Sequence, residues 1–299
     1  MANNKVHIID GNNWFTRHYF TGMDNMTECV TRLSSFCGLH KGRLIFVFDT
    51  TKSERRLAIY PEYKAGRKSS MTEEEYARFK ALMEQFRFLV KAMGFTVYCG
   101  HGYEADDYVS VLAKCLKAYD VYVYSTDKDF LQLVKPNVTI VMTKTDGEHK
   151  VTPENFIDEV GVGQEYFIDF KSMIGDKSDN ISGIEGIGEV TAIKYIDLYG
   201  SYEEILKNLK QKLLAEKKKD KPNKTEMKFI DGEASFNLAK ELVDLSVNYK
   251  DLRLRELIKA GVKGLKCDIE KCLEILSDNH AESSFDVVEA VCRSRKMLI

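Results

Sequence analysis

No stretch of the 299-residue chain approaches the ~20 uninterrupted apolar residues of a membrane-spanning helix, and MANNKVHIID reaches a charged strand too soon for a signal peptide. A cytoplasmic protein without a membrane anchor is expected. Cysteine pairing is missing too: the seven cysteines (29, 37, 99, 115, 267, 272 and 292) are odd in number and contain no C-x-x-C spacing. That argues against a disulfide framework or a zinc site and for a reducing compartment. Net positive charge is also absent, since 44 Lys and Arg stand against 46 Asp and Glu, leaving −2. Taken alone, this balance speaks against a nucleic-acid binder. The distribution answers it: residues 52–68 hold six bases against two acids, a local +4, and residues 207–228 hold nine lysines against three acids, a local +6. A chain that gathers carboxylates in one place and bases in others can be neutral overall and still attract phosphate locally.

What is present is an alternation. With 44% apolar residues the chain can fill one large domain or one domain with an appendage. Short apolar runs at Lys5–Asp10, Arg43–Asp49, Phe95–Cys99 and Asp120–Ser125 read as strands, with helical patterns at Glu73–Met93 and Ala105–Ala118 between them. Strands alternating with helices predict an α/β fold with a mostly parallel central sheet and flanking helices, whose ligands gather at the carboxyl ends of the strands. From about residue 153 the strand signals fade, and 153–171, 190–198 and 202–219 read as helices. A division into 1–152 and a helical region 153–299 is expected, with 217–224, broken by Pro222, as a solvated loop.

The chemistry lies in nine acids: Asp10, Asp49, Glu104, Asp106, Asp107, Asp127, Asp129, Asp176 and Asp179. Asp10, Asp49 and Asp127 close apolar strands, Glu104-Ala-Asp-Asp107 opens a helix, and Asp176 and Asp179 would share a face if helical. Any one of them reads equally as a helix cap or a solvated turn. Gathered together they repel one another, and divalent cations are the ordinary remedy; an all-oxygen set favours Mg²⁺ or Mn²⁺ over zinc. Two rivals fail on one residue each. A calcium loop opening at Asp127 needs glycine where Gln132 stands, and an aspartyl-phosphate enzyme needs Thr or Val where Leu131 stands.

The motifs Ile9-Asp10-Gly11, Phe48-Asp49, Tyr63-Lys64, Glu104-Ala-Asp-Asp107, Ser125-Thr-Asp-Lys-Asp129, Gly175-Asp-Lys-Ser-Asp-Asn180 and Gly183-Ile-Glu-Gly-Ile-Gly188 occur in this order. Over residues 5–200 the chain thus resembles phage 5′ nucleases and the 5′-nuclease domain of bacterial DNA polymerase I. The resemblance implies a flap endonuclease or 5′–3′ exonuclease that hydrolyses phosphodiesters with two Mg²⁺ (or Mn²⁺). Asp10, Asp49, Glu104 and Asp106 match the ligands of the first ion, and Asp127, Asp129, Asp176 and Asp179 those of the second. Asp107 matches a supporting catalytic position. None of the six histidines lies in a motif.

The same resemblance reads residues 50–92 as a helical arch in which Lys64 and Arg67 are catalytic cations and Arg56, Tyr63 and Lys68 contact DNA. Arg17 matches a further basic position. The glycine hairpin, extending over 183–199, matches a helix-two-turn-helix element in which Gly183, Gly186 and Gly188 let backbone N–H groups approach a phosphate. Such elements often hold a K⁺ on loop carbonyls. Where relatives carry a base after the last glycine this chain has Glu189-Val190, and the nearest base is Lys194. Expected partners are DNA with a 5′ flap, branch or free 5′ end, RNA–DNA hybrids, and a polymerase. With no polymerase sequence following, a stand-alone monomer acting in replication or primer processing is the expectation. A binding module without catalysis would have lost ligands, and a PIN-type ribonuclease would be shorter and lack the hairpin.

Overall fold

The computed structural model describes residues 4–66, 69–144, 147–215, 217, 220–261 and 266–296. One sheet holds β1 (Lys5–Asp10), β2 (Arg43–Phe48), β3 (Thr96–Cys99), β4 (Asp120–Tyr124), β5 (Val138–Lys144) and β6 (Gly147–Val151). The strand order is β3-β2-β1-β4-β5-β6, with β1 parallel to β2 and β4, β2 to β3, and β4 to β5. The first three strands step outward on one side of β1, and β4 returns to the other. The winding therefore reverses between β1 and β4, which makes their carboxyl ends the crevice of the sheet. Four strands were legible in the alternation of apolar runs; β6 was not, because GEHKV is a polar strand at the sheet edge whose last residue alone is buried.

Helices are numbered in chain order: α1 (Gly11–Tyr19), α2 (Met26–Leu39), α3 (Glu54–Ile59), α4 (Glu73–Ala92), α5 (Ala105–Cys115), α6 (Phe156–Val160), α7 (Phe167–Ile174), α8 (Glu189–Tyr199), α9 (Tyr202–Leu213), α10 (Lys224–Asp231), α11 (Glu233–Val243), α12 (Leu252–Gly261), α13 (Ile269–Asp278) and α14 (Phe285–Lys296). The chain forms two compact units, and neither follows a single cut near residue 152. The first comprises Met1–Ser53, Ser69–Lys150 and Val247–Ile299; the second comprises Glu54–Lys68 and Val151–Ser246. The physical reason lies in the packing. In the first unit α12, α13 and α14 pack on α5, α4 and α2, so these three helices return to the unit that holds the sheet. In the second, the Arg56 guanidinium donates to the Leu242 carbonyl at 3.0 Å, tying α3 to α11.

The first unit's core is aromatic. Phe15, Phe46, Phe48 and Phe86 are fully buried, and Trp14 stacks on Phe86 at 5.4 Å. Each such ring contributes roughly 1.5–3 kcal/mol through burial. Gly11 opens α1 where any Cβ would lie 2.4 Å from the Phe48 ring, so glycine is required for α1 to start this close to β2. Thr72 caps α4 as expected: its hydroxyl accepts from Glu75 N–H, and the Glu75 carboxylate accepts from Thr72 N–H.

In the second unit the expected helix over 153–171 is broken. Gly161, at φ +85°, closes α6 after five residues, and α7 begins only at Phe167. Asp176 and Asp179 do not lie on a helical turn either. They belong to a tight hairpin in which Gly175 pairs with Ser182 and Asp176 with Ile181.

Candidate active site

Seven of the nine acids stand in the first unit, at the carboxyl edge of its sheet. Asp10 ends β1 and is 7% exposed. Its Oδ1 accepts from Asn13 N–H at 3.1 Å and its Oδ2 from the Ser125 hydroxyl at 2.8 Å. Ser125, just past β4, also accepts from Asp127 N–H at 3.1 Å, so one hydroxyl ties the Asp10 carboxylate to the main chain of Asp127. The Asp127 carboxylate in turn accepts from Asp129 N–H at 2.8 Å.

Asp49 follows β2. Its N–H donates to Asn12 Oδ1 at 2.8 Å while Asn12 Nδ2 donates back to the Asp49 carbonyl at 3.2 Å, and the Asp49 carboxylate accepts from Ala105 N–H at 2.5 Å. That last bond joins β2 to the start of α5, where Glu104 is 3% exposed. Asp107 braces this turn: Oδ2 accepts from Glu104 N–H at 2.9 Å and Oδ1 from Asn248 Nδ2 at 2.9 Å. Asn12, Asn13, Ser125 and Asn248 were not among the candidate residues. The pair Asn12-Asn13 directly after Asp10-Gly11 was the available signal, since amides can clasp neighbouring backbone from both ends.

The charges act on one another. Burial raises the Asp10 carboxyl above its ordinary value, with the negative charge of Asp106 adding to the effect. Asp127 is pushed up to about 7 by desolvation and by the charges of Asp129, Asp106 and Asp10. Among the described residues no three Asp, Glu, His or Cys side chains close on one point as a finished ligand set. The carboxylates of Asp10, Asp49, Asp107 and Asp127 are each turned onto a hydroxyl or a backbone N–H. An all-oxygen donor set whose members raise one another's pKa fits a hard divalent cation.

The second unit holds the remaining acids with the arch lysine. Asp176 Oδ1 accepts from Ser178 N–H at 2.8 Å and the Ser178 hydroxyl at 2.7 Å, and Oδ2 from Lys171 at 3.2 Å. Burial alone would raise its pKa; Ser178 and Lys171 outweigh burial and hold it low. Ser178 reaches Asp179 as well, at 3.2 Å. Asp179 Oδ2 accepts from the Tyr63 hydroxyl at 3.0 Å and pairs with Lys64 at 3.7 Å. Lys64 is not on a helix: it sits in a turn at φ +54°, in the left-handed region, with its N–H donating to Asp179 O at 2.8 Å.

Several expected DNA contacts change character. Arg56 is 2% exposed and Tyr63 1%, with the tyrosine ring packed among Ile181, Ala239, Leu242 and Val243, so neither can stack on a base. Gly183 packs inward, where a Cβ would meet Met173 O at 2.3 Å. Gly186 takes φ +70°, and Gly188 opens α8 with free space beside it. The Gly186 carbonyl, one of the loop oxygens a K⁺ would use, accepts from Lys228. Lys194 is exposed on α8, and Arg17 is half-buried on α1. Arg67, Lys68, Lys218 and Lys219 lie outside the described residues.

The mostly parallel sheet gathers these carboxylates at its reversal point, and the class, a nuclease, follows from the family. The chain belongs to the 5′-3′ exonuclease family: the N-terminal resolvase-like domain of that family matches residues 5–161 and its C-terminal SAM fold matches residues 162–262. A 5′-3′ exonuclease of Aquifex aeolicus is 32% identical over 96% of both chains. The thermostable DNA polymerase I of Thermus thermophilus is 34% identical over 69% of this chain, which spans only 25% of that polymerase. The bacteriophage T5 D15 flap endonuclease, solved with DNA and metal ions, superposes with a TM-score of 0.69 at 25% identity, over 92% of this chain and 99% of that one. No helix among the described residues is long and apolar enough to cross a membrane.

Proposed function

We propose that the protein is a structure-specific 5′ nuclease that hydrolyses phosphodiester bonds in 5′ flaps, branched DNA and 5′ ends by a two-metal-ion reaction, in DNA replication or primer processing. The observation carrying this reading is the gathering of Asp10, Asp49, Glu104 and Asp127 at the carboxyl edge of β1, β2 and β4, tied together through Ser125 and Ala105. Asp10, Asp49, Glu104 and Asp106 would hold one Mg²⁺ or Mn²⁺ and Asp127 and Asp129 a second, with Asp176 and Asp179 assigned to the second ion on their motif. When bound, such ions supply an activated water and stabilise the leaving oxygen.

The chain's own residues prepare that chemistry. Asn12 fixes the main chain of Asp49 and Ala105 N–H its carboxylate, and Ser125 fixes the Asp10 carboxylate against the main chain of Asp127. Asp107 acts through Glu104, whose N–H it holds. Lys64, restrained by Asp179, is a cation suited to the charge that grows on a phosphate in the transition state. Gly186, Gly188, Lys194 and Lys228 provide a phosphate-seeking loop for the duplex.

The test compares cleavage of a 5′-flap DNA, a blunt duplex and a single-stranded RNA in Mg²⁺. Flap cleavage above both others, abolished by excess chelator, is expected. Metal-independent cleavage, or preference for the RNA, overturns the reading.

A further inference from the structure

A recess of about 480 Å³ opens on the first unit at the opposite end of β1 from Asp10. Lys5 and His7 on β1 and Tyr122 on β4 line it, with His40 and Lys41 beyond α2 and Glu148 and Lys150 on β6. Lys5, Lys41 and Lys150 are exposed lysines lining the opening, with Glu148 as the carboxylate beside them. The Lys5 and Lys150 ammonium groups lie 5.8 and 6.0 Å from the centre of the Tyr122 ring, on which His7 also stacks at 5.3 Å.

The inner wall is a chain of four polar contacts. His7 Nε2 meets the Lys41 carbonyl at 3.0 Å, and His7 Nδ1 meets the Tyr124 hydroxyl at 3.0 Å. That hydroxyl meets His40 Nδ1 at 3.0 Å, and His40 Nε2 meets the Glu148 carboxylate at 3.2 Å. Both ends of the chain are acceptors. With neutral rings, His7, Tyr124 and His40 bring one proton each, three for four contacts, so one contact is always acceptor against acceptor. A single added proton completes the chain. His40 then donates to both Glu148 and Tyr124, Tyr124 donates to His7, and His7 donates to the Lys41 carbonyl.

We propose that this recess is a second ligand site, taking a phosphate monoester, and that binding draws one proton into the Tyr124–His40 chain. The three ammonium groups supply the point charges that hold a phosphate. The volume exceeds inorganic phosphate and falls in the range of small-molecule sites. Burial, helped by the charges of Lys5 and Lys150, keeps the proton out when no anion is present. Burial, then the charges of His40, Lys5 and Lys150, hold His7 down at about 4, and burial with Lys150 holds His40 low against the pull of Glu148. Glu148 also feels Arg17 on α1. A bound dianion offsets Lys5 and Lys150 and adds its own negative charge, which makes the fourth proton favourable. The site is independent of the nuclease reading.

Calorimetric titration of the full chain with inorganic phosphate and with a nucleoside 5′-monophosphate tests this, with and without Mg²⁺ and in buffers of different ionisation enthalpy. Saturable binding with uptake of about one proton is expected near neutral pH. Tighter binding of the nucleotide would assign the rest of the recess to the nucleoside; equal binding would assign recognition to the phosphate alone. Replacing Lys5 and Lys150 together by Ala should raise Kd roughly ten-fold or more. Tyr124→Phe should retain binding and lose the proton uptake, and His40→Gln should do the same. No saturable binding, or binding indifferent to the lysine pair, overturns the site. Binding without proton uptake overturns the coupling.

Discussion

Lys228 and Gly186, 42 residues apart in the chain, meet at the hairpin: the Lys228 ammonium donates to the Gly186 carbonyl at 3.4 Å. The position after Gly188, where a base was sought, holds Glu189. The cation comes instead from α10. Lys228→Met should therefore weaken binding of duplex-bearing DNA and lower the salt slope by ~0.9, as for one lost phosphate contact. The rate at saturation should hold. Gly186→Val should weaken binding too, because a side chain there is strained at φ +70° and meets Lys228. If Gly186→Val acts and Lys228→Met does not, the lysine only closes the loop.

Asn12 grips Asp49 from both ends of its amide. Removing the carboxylate charge in Asp49→Asn should cost orders of magnitude in cleavage while DNA binding survives. Asn12→Ala keeps the charge and loses the grip. Residues that orient a ligand typically matter by about 10–100-fold in metal affinity or activity, so cleavage should fall and recover partly at higher Mg²⁺. A Mg²⁺ titration that keeps its wild-type midpoint would sink this role.

The acidic cluster should make the metal-free protein less stable near neutral pH. The folded Asp127 carboxyl, at about 7, lies above the ordinary value of about 3.9. Its contribution is thus present below the lower value and lost as pH rises through the upper one. Asp127→Asn should raise Tm in chelator at neutral pH and abolish most of the further rise given by Mg²⁺. His7 and His18 work in the opposite sense. Burial lowers both to about 4, so their contribution is full above about 6.5 and is lost as pH falls toward the lower value. Urea midpoints across this range should fall with acidity, and less steeply in His18→Gln.

Lys64 is fixed at 3.7 Å from Asp179 in a left-handed turn. A cation held this firmly should act on rate more than on affinity. Lys64→Ala is expected to slow single-turnover cleavage by roughly 10²-fold, the scale of one strong electrostatic donor, with Kd moved only a few-fold. Loss of binding in proportion to kcat/KM, with normal rates at saturating enzyme, would leave Lys64 as an electrostatic attractor.

The sequence by itself determined the class of fold and the candidate acids, because both are local properties: β1, β2 and β3 are short apolar runs, and Asp10, Asp49 and Glu104-Ala-Asp-Asp107 come at or shortly after their ends. Period and adjacency are written in the order of residues. Tertiary structure alone decided what pairs across distance. That Ser125 bridges Asp10 and Asp127, that Asn248 holds Asp107, and that Lys228 serves the hairpin all depend on residues brought together from separate elements. Burial was equally unreadable. Arg56 and Tyr63 have the residue types of a DNA-facing arch, yet the Leu242 carbonyl and the Asp179 carboxylate take their polar groups inward. A side chain's chemistry is set by its type, but whether that chemistry meets solvent, substrate or core is set by what the fold packs against it.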